Sequence, residues 1–352
     1  MPIKKIKLKL HSFENHLASY PTPTSKALGA NLLFAFYNAL PRARKTAWWI
    51  IKIMLPLSLA VGVLHYYHLL DGLTAFVSPL FEKIGLSGNA SIAFISSIFV
   101  SCYAPIAIIS SLNLDLREII ILGAMCVISH NMIFECAVQK KTGSNPLIIF
   151  IVRLFFSFAA AVLLNYLLPA KEAFGQAYFT EIYTEPTSFG AFLLNWGTKN
   201  GLLVLKIIGI ILGLMFLQNL LKRYRVIDFL SNALAPAMQF MGMSPNTSFL
   251  WIVAQTLGLA YGSGVLIEEI NKGEITQSEA TRLNYHLALN HSQLEDPMLF
   301  VAIGAPFFWV SLPRFIFAFV LVWLIVLFEK ISQKRKNNLT PYQTKTTNTI
   351  LT

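Results

Sequence analysis

The chain has 352 residues, 55% hydrophobic and only 13% charged, against about 25% charged in a soluble domain, which excludes a water-coated globule. Its net charge of +11 is not a nucleic-acid footprint, because the basic residues gather at the two ends, from Lys4 to Lys45 and from Lys330 to Lys336. Cys102, Cys126 and Cys136 have no disulfide or zinc-ribbon spacing.

The first 45 residues form a basic, cytoplasmic segment with no apolar h-region, so the first span is expected to direct insertion itself. That span runs from Thr46 to Tyr66 with Trp48, Trp49, Tyr66 and Tyr67 at its two interfaces. Leu69 to Ile84, interrupted by Gly72 and Pro79, either crosses marginally or is re-entrant. Asn89 to Leu114 is uncharged throughout and is broken at Ser101 to Pro105, where proline frees a backbone carbonyl. Ile119 to Cys136 is apolar until Ser129, and Pro146 to Pro169 is a full-length span with one charge, Arg153.

An acidic linker, residues 171–198, separates this first membrane unit (46–170) from a second (199–330). The second opens with Gly201 to Leu221 and the basic cluster Lys222, Arg223 and Arg225. Apolar runs follow at Val226 to Met243, Thr247 to Ile267 and Pro297 to Phe328, with a polar helix-like stretch, Ile275 to Glu295, before the last. Residues 331–352 are expected to be a disordered cytoplasmic tail.

The two units share a register. Asp71 and Asp228, Pro79 and Pro236, Gly85 and Gly242, and Asn89 and Asn246 are each 157 apart. After a four-residue insertion the spacing becomes 161, pairing Glu118 with Glu279, His130 with His291, Gly143 with Gly304 and Arg153 with Arg314. The positive-inside rule places both termini and the Lys222 to Arg225 cluster on the cytoplasmic side, so the units are expected to be inverted relative to each other.

Each unit carries one polar motif within apolar sequence. The first is Ser129, His130 and Asn131 with Glu135 and Cys136. The second is Asn290, His291, Ser292 and Gln293 with Glu295 and Asp296, preceded by Asn284 and His286. A charge at membrane depth costs about 2.5 to 3.5 kcal/mol on insertion scales, so such groups face a cavity and a partner. Ser, Asn and Asp also cap broken helices, and His bonds freed carbonyls. His130, Glu135, His291 and Glu295 are metal candidates, since imidazole with carboxylate, and thiolate at Cys136, suits iron, manganese or zinc. The same groups suit a polar organic solute such as a nucleoside. Gln255, Asn89 and Asn246 are candidates for lining the same cavity, Gly258 to Gly264 for a ligand-facing helix break or close packing. Arg153 and Arg314 read as snorkelling residues or as intramolecular partners of carboxylates. Cys102 and Cys126 read as buried small hydrophobes. HExxH does not occur, so an intramembrane metalloprotease gains no support.

On Gly85-Leu86-Ser87-Gly88-Asn89, the broken run after it and Ser129-His130-Asn131, repeated as Gly242-Met243-Ser244-Pro245-Asn246 and Asn290-His291-Ser292, the chain resembles the Gate, or nucleoside-recognition-domain, family of bacterial membrane proteins. The resemblance spans Thr46 to Lys330. It implies two Gate repeats like those of bacterial ferrous-iron transporters and spore-maturation membrane proteins, with remote similarity to nucleoside transporters. There is no Walker-type GxxxxGK[ST], which argues against GTPase-linked iron transport.

The fold expected is therefore all-α, a polytopic membrane protein of two inverted Gate-type repeats with broken or re-entrant helices. The function expected is an inner-membrane, non-enzymatic transporter-like protein that binds a small polar solute or ion, a nucleoside-like solute or divalent metal, at a midplane site. The alternative is a non-transporting scaffold or signalling protein of the spore-maturation type. Lipids are expected partners, a homo-oligomer or membrane-protein partner is compatible with the sequence, and no cofactor is identified.

Overall fold

Small residues recur every fourth position at the start of the first helix and decide what it packs against. In the computed structural model, which describes residues 28–112, 114–170 and 188–348, helix α1 spans Leu28–Tyr66. Its inner stripe is Asn31, Ala35, Ala39, Ala43, Ala47, Ile50 and Met54, all buried. Residues three and four apart share a helix face, and alanine lets a second backbone approach closely. That second backbone is α8, Phe189–Arg223. The two run antiparallel: Tyr66 stacks near Phe189 and Phe192 at one end, Ser58 Oγ donates to Asn200 Oδ1 (2.9 Å) near the middle, and Arg223 binds Asn31 at the other end.

Two sequence boundaries move as a result. The helix expected from Thr46 begins at Leu28, because residues 28–45 bury their alanine stripe on α8. The span expected from Gly201 begins at Phe189, because Ser188 Oγ accepts the Ala191 N–H (3.2 Å) and caps the helix inside what read as linker. The basic residues Lys4 to Lys26 and the acidic Glu172, Glu181 and Glu185 lie outside the described residues.

After α1 come α2 (Asp71–Glu82), α3 (Ala90–Phe99), α4 (Tyr103–Ile109), α5 (Leu116–Ser129), α6 (Met132–Lys141) and α7 (Pro146–Leu167). After α8 come α9 (Val226–Phe240), a short 3-10 turn at Pro245–Thr247, α10 (Ser248–Leu257), α11 (Leu259–Asn271), α12 (Gln277–Leu289), α13 (Asp296–Val301) and α14 (Phe307–Asn348). No strand occurs among the described residues, so the chain is an all-α polytopic membrane protein.

Five stretches of these helices are long and apolar enough to cross a membrane: Asn31–Tyr66, Leu116–Lys141, Pro146–Leu167, Phe189–Arg223 and Phe307–Lys334. The uncertain stretch Leu69 to Ile84 yields only the 12-residue α2. At about 1.5 Å per residue it reaches ~18 Å, short of ~30 Å of hydrocarbon. The break expected at Ser101 to Pro105 falls between α3 and α4, and the corresponding break after α10 falls at Gly258, whose φ is +86°.

Two further expectations change. Pro297 to Phe328 is not one run: Gly304 adopts φ +101° and Pro306 follows, which ends α13 and starts α14. The tail expected to be disordered continues α14 to Asn348, although Pro341 lies within it and donates no backbone hydrogen bond.

Backbone geometry recurs at the two separations seen in the sequence. Among the described residues, the non-glycine ones with positive φ are His68 and Arg225, 157 apart, and Asn131 and Ser292, 161 apart. Glycines do the same: Gly85 (+79°) with Gly242 (+78°), and Gly143 (+88°) with Gly304 (+101°). Helices α5 and α12 start 161 residues apart, as do α7 and α14.

Candidate functional site

Two broken helices build the site. Helix α5 opens with a capping box in which the Asp115 side chain accepts the Glu118 N–H and Glu118 accepts the Asp115 N–H. It runs fully buried to Ser129, where His130 turns extended (φ −65°, ψ 150°) and Asn131 turns left-handed (φ 50°). The Asn131 N–H donates to Ser97 O (2.7 Å), fixing the break against α3. Helix α12 repeats this with a Thr276–Glu279 capping box, a break at Asn290, and left-handed Ser292 (φ 47°), whose N–H donates to Ala254 O (3.2 Å) on α10.

Breaking a helix at membrane depth orphans carbonyls that water cannot satisfy. An arginine from the following span meets that need in each half. Arg153 on α7 is fully buried and donates from Nε to Ile128 O (2.7 Å), from one terminal nitrogen to His130 O (2.7 Å), and from the other to Glu135 Oε2 (2.6 Å). Arg314 on α14 donates to Leu289 O (3.1 Å) and His291 O (2.6 Å) and lies 4.0 Å from Asp296 Oδ2. Both residues are thus carboxylate partners rather than snorkelling side chains. The rigid guanidinium fork explains the choice of residue, since lysine cannot reach three acceptors in one plane.

The breaks bring His130 and His291 together. Their Nε2 atoms are 3.3 Å apart, and Glu135 Oε1 lies 3.3 Å from the first and 3.2 Å from the second. Each Nδ1 bonds a carbonyl of its own chain segment, His130 to Val127 O (3.1 Å) and His291 to Leu287 O (2.7 Å). A carbonyl only accepts, so both Nδ1 atoms carry hydrogen and both Nε2 atoms point into the cluster. The cluster is sealed, with His130 4% and His291 1% exposed.

A second group shares His130. Asp296 Oδ2 lies 3.4 Å from His130 Nε2, and Cys102 Sγ completes a trio whose ligand atoms lie within 4.8 Å of one another. Sequence reading assigned Cys102 to packing and attached the thiol to Cys136. Cys136 instead packs with Ile149 and Ala288. Cys102 reaches the cluster because the α3–α4 break turns it inward. Asp296 rather than Glu295 is the carboxylate beside His130, whereas Glu295 Oε1 accepts from Tyr103 OH (3.2 Å). The 161 register already carried that signal, since it pairs Glu135 with Asp296.

The other candidates divide. Ser129 donates to Met125 O (2.8 Å) and lies 3.2 Å from Ser97 Oγ, so it serves the helix break. Gln255 donates to Asn290 O (2.6 Å) and accepts from Gln293 N (3.3 Å), so it braces the second motif. Both polar atoms of the Asn290 side chain are buried without a protein partner. Asn89 and Asn246 stand at the starts of α3 and the 3-10 turn and make no hydrogen bond to the cluster. Of the neighbours, Asn284 binds Thr142 and Ser144 (2.7 and 2.8 Å), and His286 accepts from Trp251 Nε1 (3.2 Å).

Comparison with known proteins agrees with this architecture. A family profile described as Gate, nucleoside recognition, matches residues 47–172 and 204–293. An uncharacterized membrane protein of Bacillus subtilis (strain 168), YvoD, is 30% identical over 291 residues, covering 82% of this chain and 93% of the relative. No solved structure matches the chain. The chain belongs to the Gate, or nucleoside-recognition, family of membrane proteins.

Proposed function

We propose that the chain is a transporter-like protein of the bacterial inner membrane that binds a small polar solute or ion between two inverted repeats, with both termini cytoplasmic. The observation that carries this reading is the meeting of His130 and His291, 161 residues apart, with their Nε2 atoms at 3.3 Å in a sealed cluster. Buried imidazoles and carboxylates are costly at membrane depth, and transporter sites at a repeat interface are where broken helices bring such groups together. The paired positive-φ residues support the duplication, and the antiparallel packing of α1 on α8 supports inversion: equivalent helices related by an in-plane two-fold axis run in opposite directions.

A sealed site means that the ligand enters and leaves only when helices move, as alternating access requires. The glycine at the α10–α11 break and the helix ends around it supply short segments that can shift without unfolding a long span. Purified protein reconstituted in liposomes and screened with divalent metals and nucleosides is expected to take up or bind one class. His130→Ala and His291→Ala are each expected to abolish it. Absence of uptake and binding for every candidate, with both variants silent, would refute the reading.

A further inference from the structure

Resting on the reading that the His130–His291 cluster is the ligand site, we propose that its occupant is a divalent transition-metal ion of the zinc or iron(II) class, held by His130 Nε2, His291 Nε2 and Glu135 Oε1.

With both Nδ1 atoms bonded to Val127 O and Leu287 O, each imidazole presents its Nε2 to the cluster as the remaining ligand position. Glu135 Oε1 is an acceptor, its other oxygen being held by Arg153 (2.6 Å). Three atoms able to ligate a metal face one another along edges of 3.3, 3.3 and 3.2 Å. Such a triangle of buried nitrogen and oxygen atoms is the arrangement that three ligands of one cation adopt. A single metal ion satisfies all three.

Local charge points the same way. Glu135 and Asp296 face Arg153 and Arg314, and Glu295, bonded to Tyr103 OH (3.2 Å), is a third carboxylate without a guanidinium partner of its own among the described residues, which favours a cation in the cluster.

The edge lengths select the ion. Tetrahedral zinc with bonds of ~2.0 Å to nitrogen or oxygen has ligand–ligand edges of about 3.3 Å. Octahedral magnesium at ~2.1 Å has edges of about 3.0 Å, and calcium prefers six to eight oxygens. Two imidazoles with one carboxylate are a borderline donor set, which zinc and iron(II) accept and magnesium does not. An organic solute does not fit between atoms 3.3 Å apart. The Cys102–His130–Asp296 trio adds a sulfur next to the first set and shares His130 with it, providing an adjoining position for an ion entering or leaving.

The test uses the full chain in detergent, stripped with chelator and titrated with Co2+ as a spectroscopic probe, then with Zn2+ as competitor. One Co2+ per chain with the intense visible bands of tetrahedral cobalt, displaced by Zn2+, is expected. His130→Gln and His291→Gln should each weaken Co2+ binding at least about tenfold while helix content and gel-filtration behaviour stay unchanged. A readout on the unmutated protein removes dependence on variants: in 15N-histidine NMR, Zn2+ should shift the Nε2 signals of two of the seven histidines and leave their Nδ1 hydrogens in place. No retained Co2+, weak octahedral bands, or unmoved Nε2 signals would overturn the proposal. His-dependent binding of a nucleoside without any metal would overturn it too, yet would leave the transporter reading standing.

Discussion

Arg153 holds Glu135 through a 2.6 Å ion pair while its remaining nitrogens close off Ile128 O and His130 O. One side chain therefore fixes the end of α5, the course of the break and the carboxylate that faces both histidines. Arg314 does the equivalent for the end of α12, but its carboxylate, Asp296, is 4.0 Å away.

That asymmetry gives the first prediction. Removing one partner of a buried ion pair costs about 3 to 5 kcal/mol, because the other charge stays buried. Arg153→Met is expected to destabilise by that order in thermal or denaturant unfolding in detergent. A double-mutant cycle with Glu135→Gln should recover a large part. The corresponding cycle between Arg314 and Asp296 is expected to show weaker coupling, the contact being longer.

Ser292 sits at φ 47° with a β-carbon that disfavours this conformation. Ser292→Gly should stabilise by about 1 kcal/mol, and Ser292→Val should destabilise by more than that. Asn131, its counterpart at φ 50°, tolerates the left-handed region better, so Asn131→Gly should gain less. Paired melting curves of the variants measure the difference.

At Gly85, φ is +79°, and an added β-carbon would collide with the Asn165 amide, which accepts from Arg117 (2.8 Å). Gly85→Ala is expected to cost about 1 to 2 kcal/mol from backbone strain alone. Gly242→Ala shares the strain (φ +78°) but meets only Val322, Val326 and Trp323 side chains. Its melting temperature should fall less.

Ala39 is fully buried in the α1–α8 seam. Ala39→Leu should overpack it at a cost of about 1 to 3 kcal/mol. If residues 28–45 were a detached cytoplasmic arm, the substitution would leave stability unchanged, so its unfolding midpoint tests the extension of α1 directly.

Gln255→Ala removes the bond to Asn290 O and leaves a buried carbonyl unpaired, expected to cost about 1 to 3 kcal/mol. Ligand affinity should weaken along with stability, whereas Asn246→Ala, at an exposed position, should change neither. Binding isotherms of the two variants separate a residue bracing the motif from one outside it.

Much of this molecule is written in one dimension. Long apolar runs fix which segments are membrane helices, since hydropathy needs no partner to be read. Proline and glycine mark the α3–α4 and α10–α11 breaks, and the 161 spacing pairs His130 with His291 and Glu135 with Asp296 before any contact is known. Other features depend on how helices approach. The alanine stripe of α1 reads as a basic soluble segment until α8 is there to cover it. Cys102 reads as packing until the break beside it turns the thiol toward His130 and Asp296. Which nitrogen of each histidine bears the hydrogen is set by carbonyls that exist only where α5 and α12 stop. Sequence determined the polar residues and their repeat. Tertiary structure alone decided which atoms face which, because that depends on the few ångströms by which two broken helices meet.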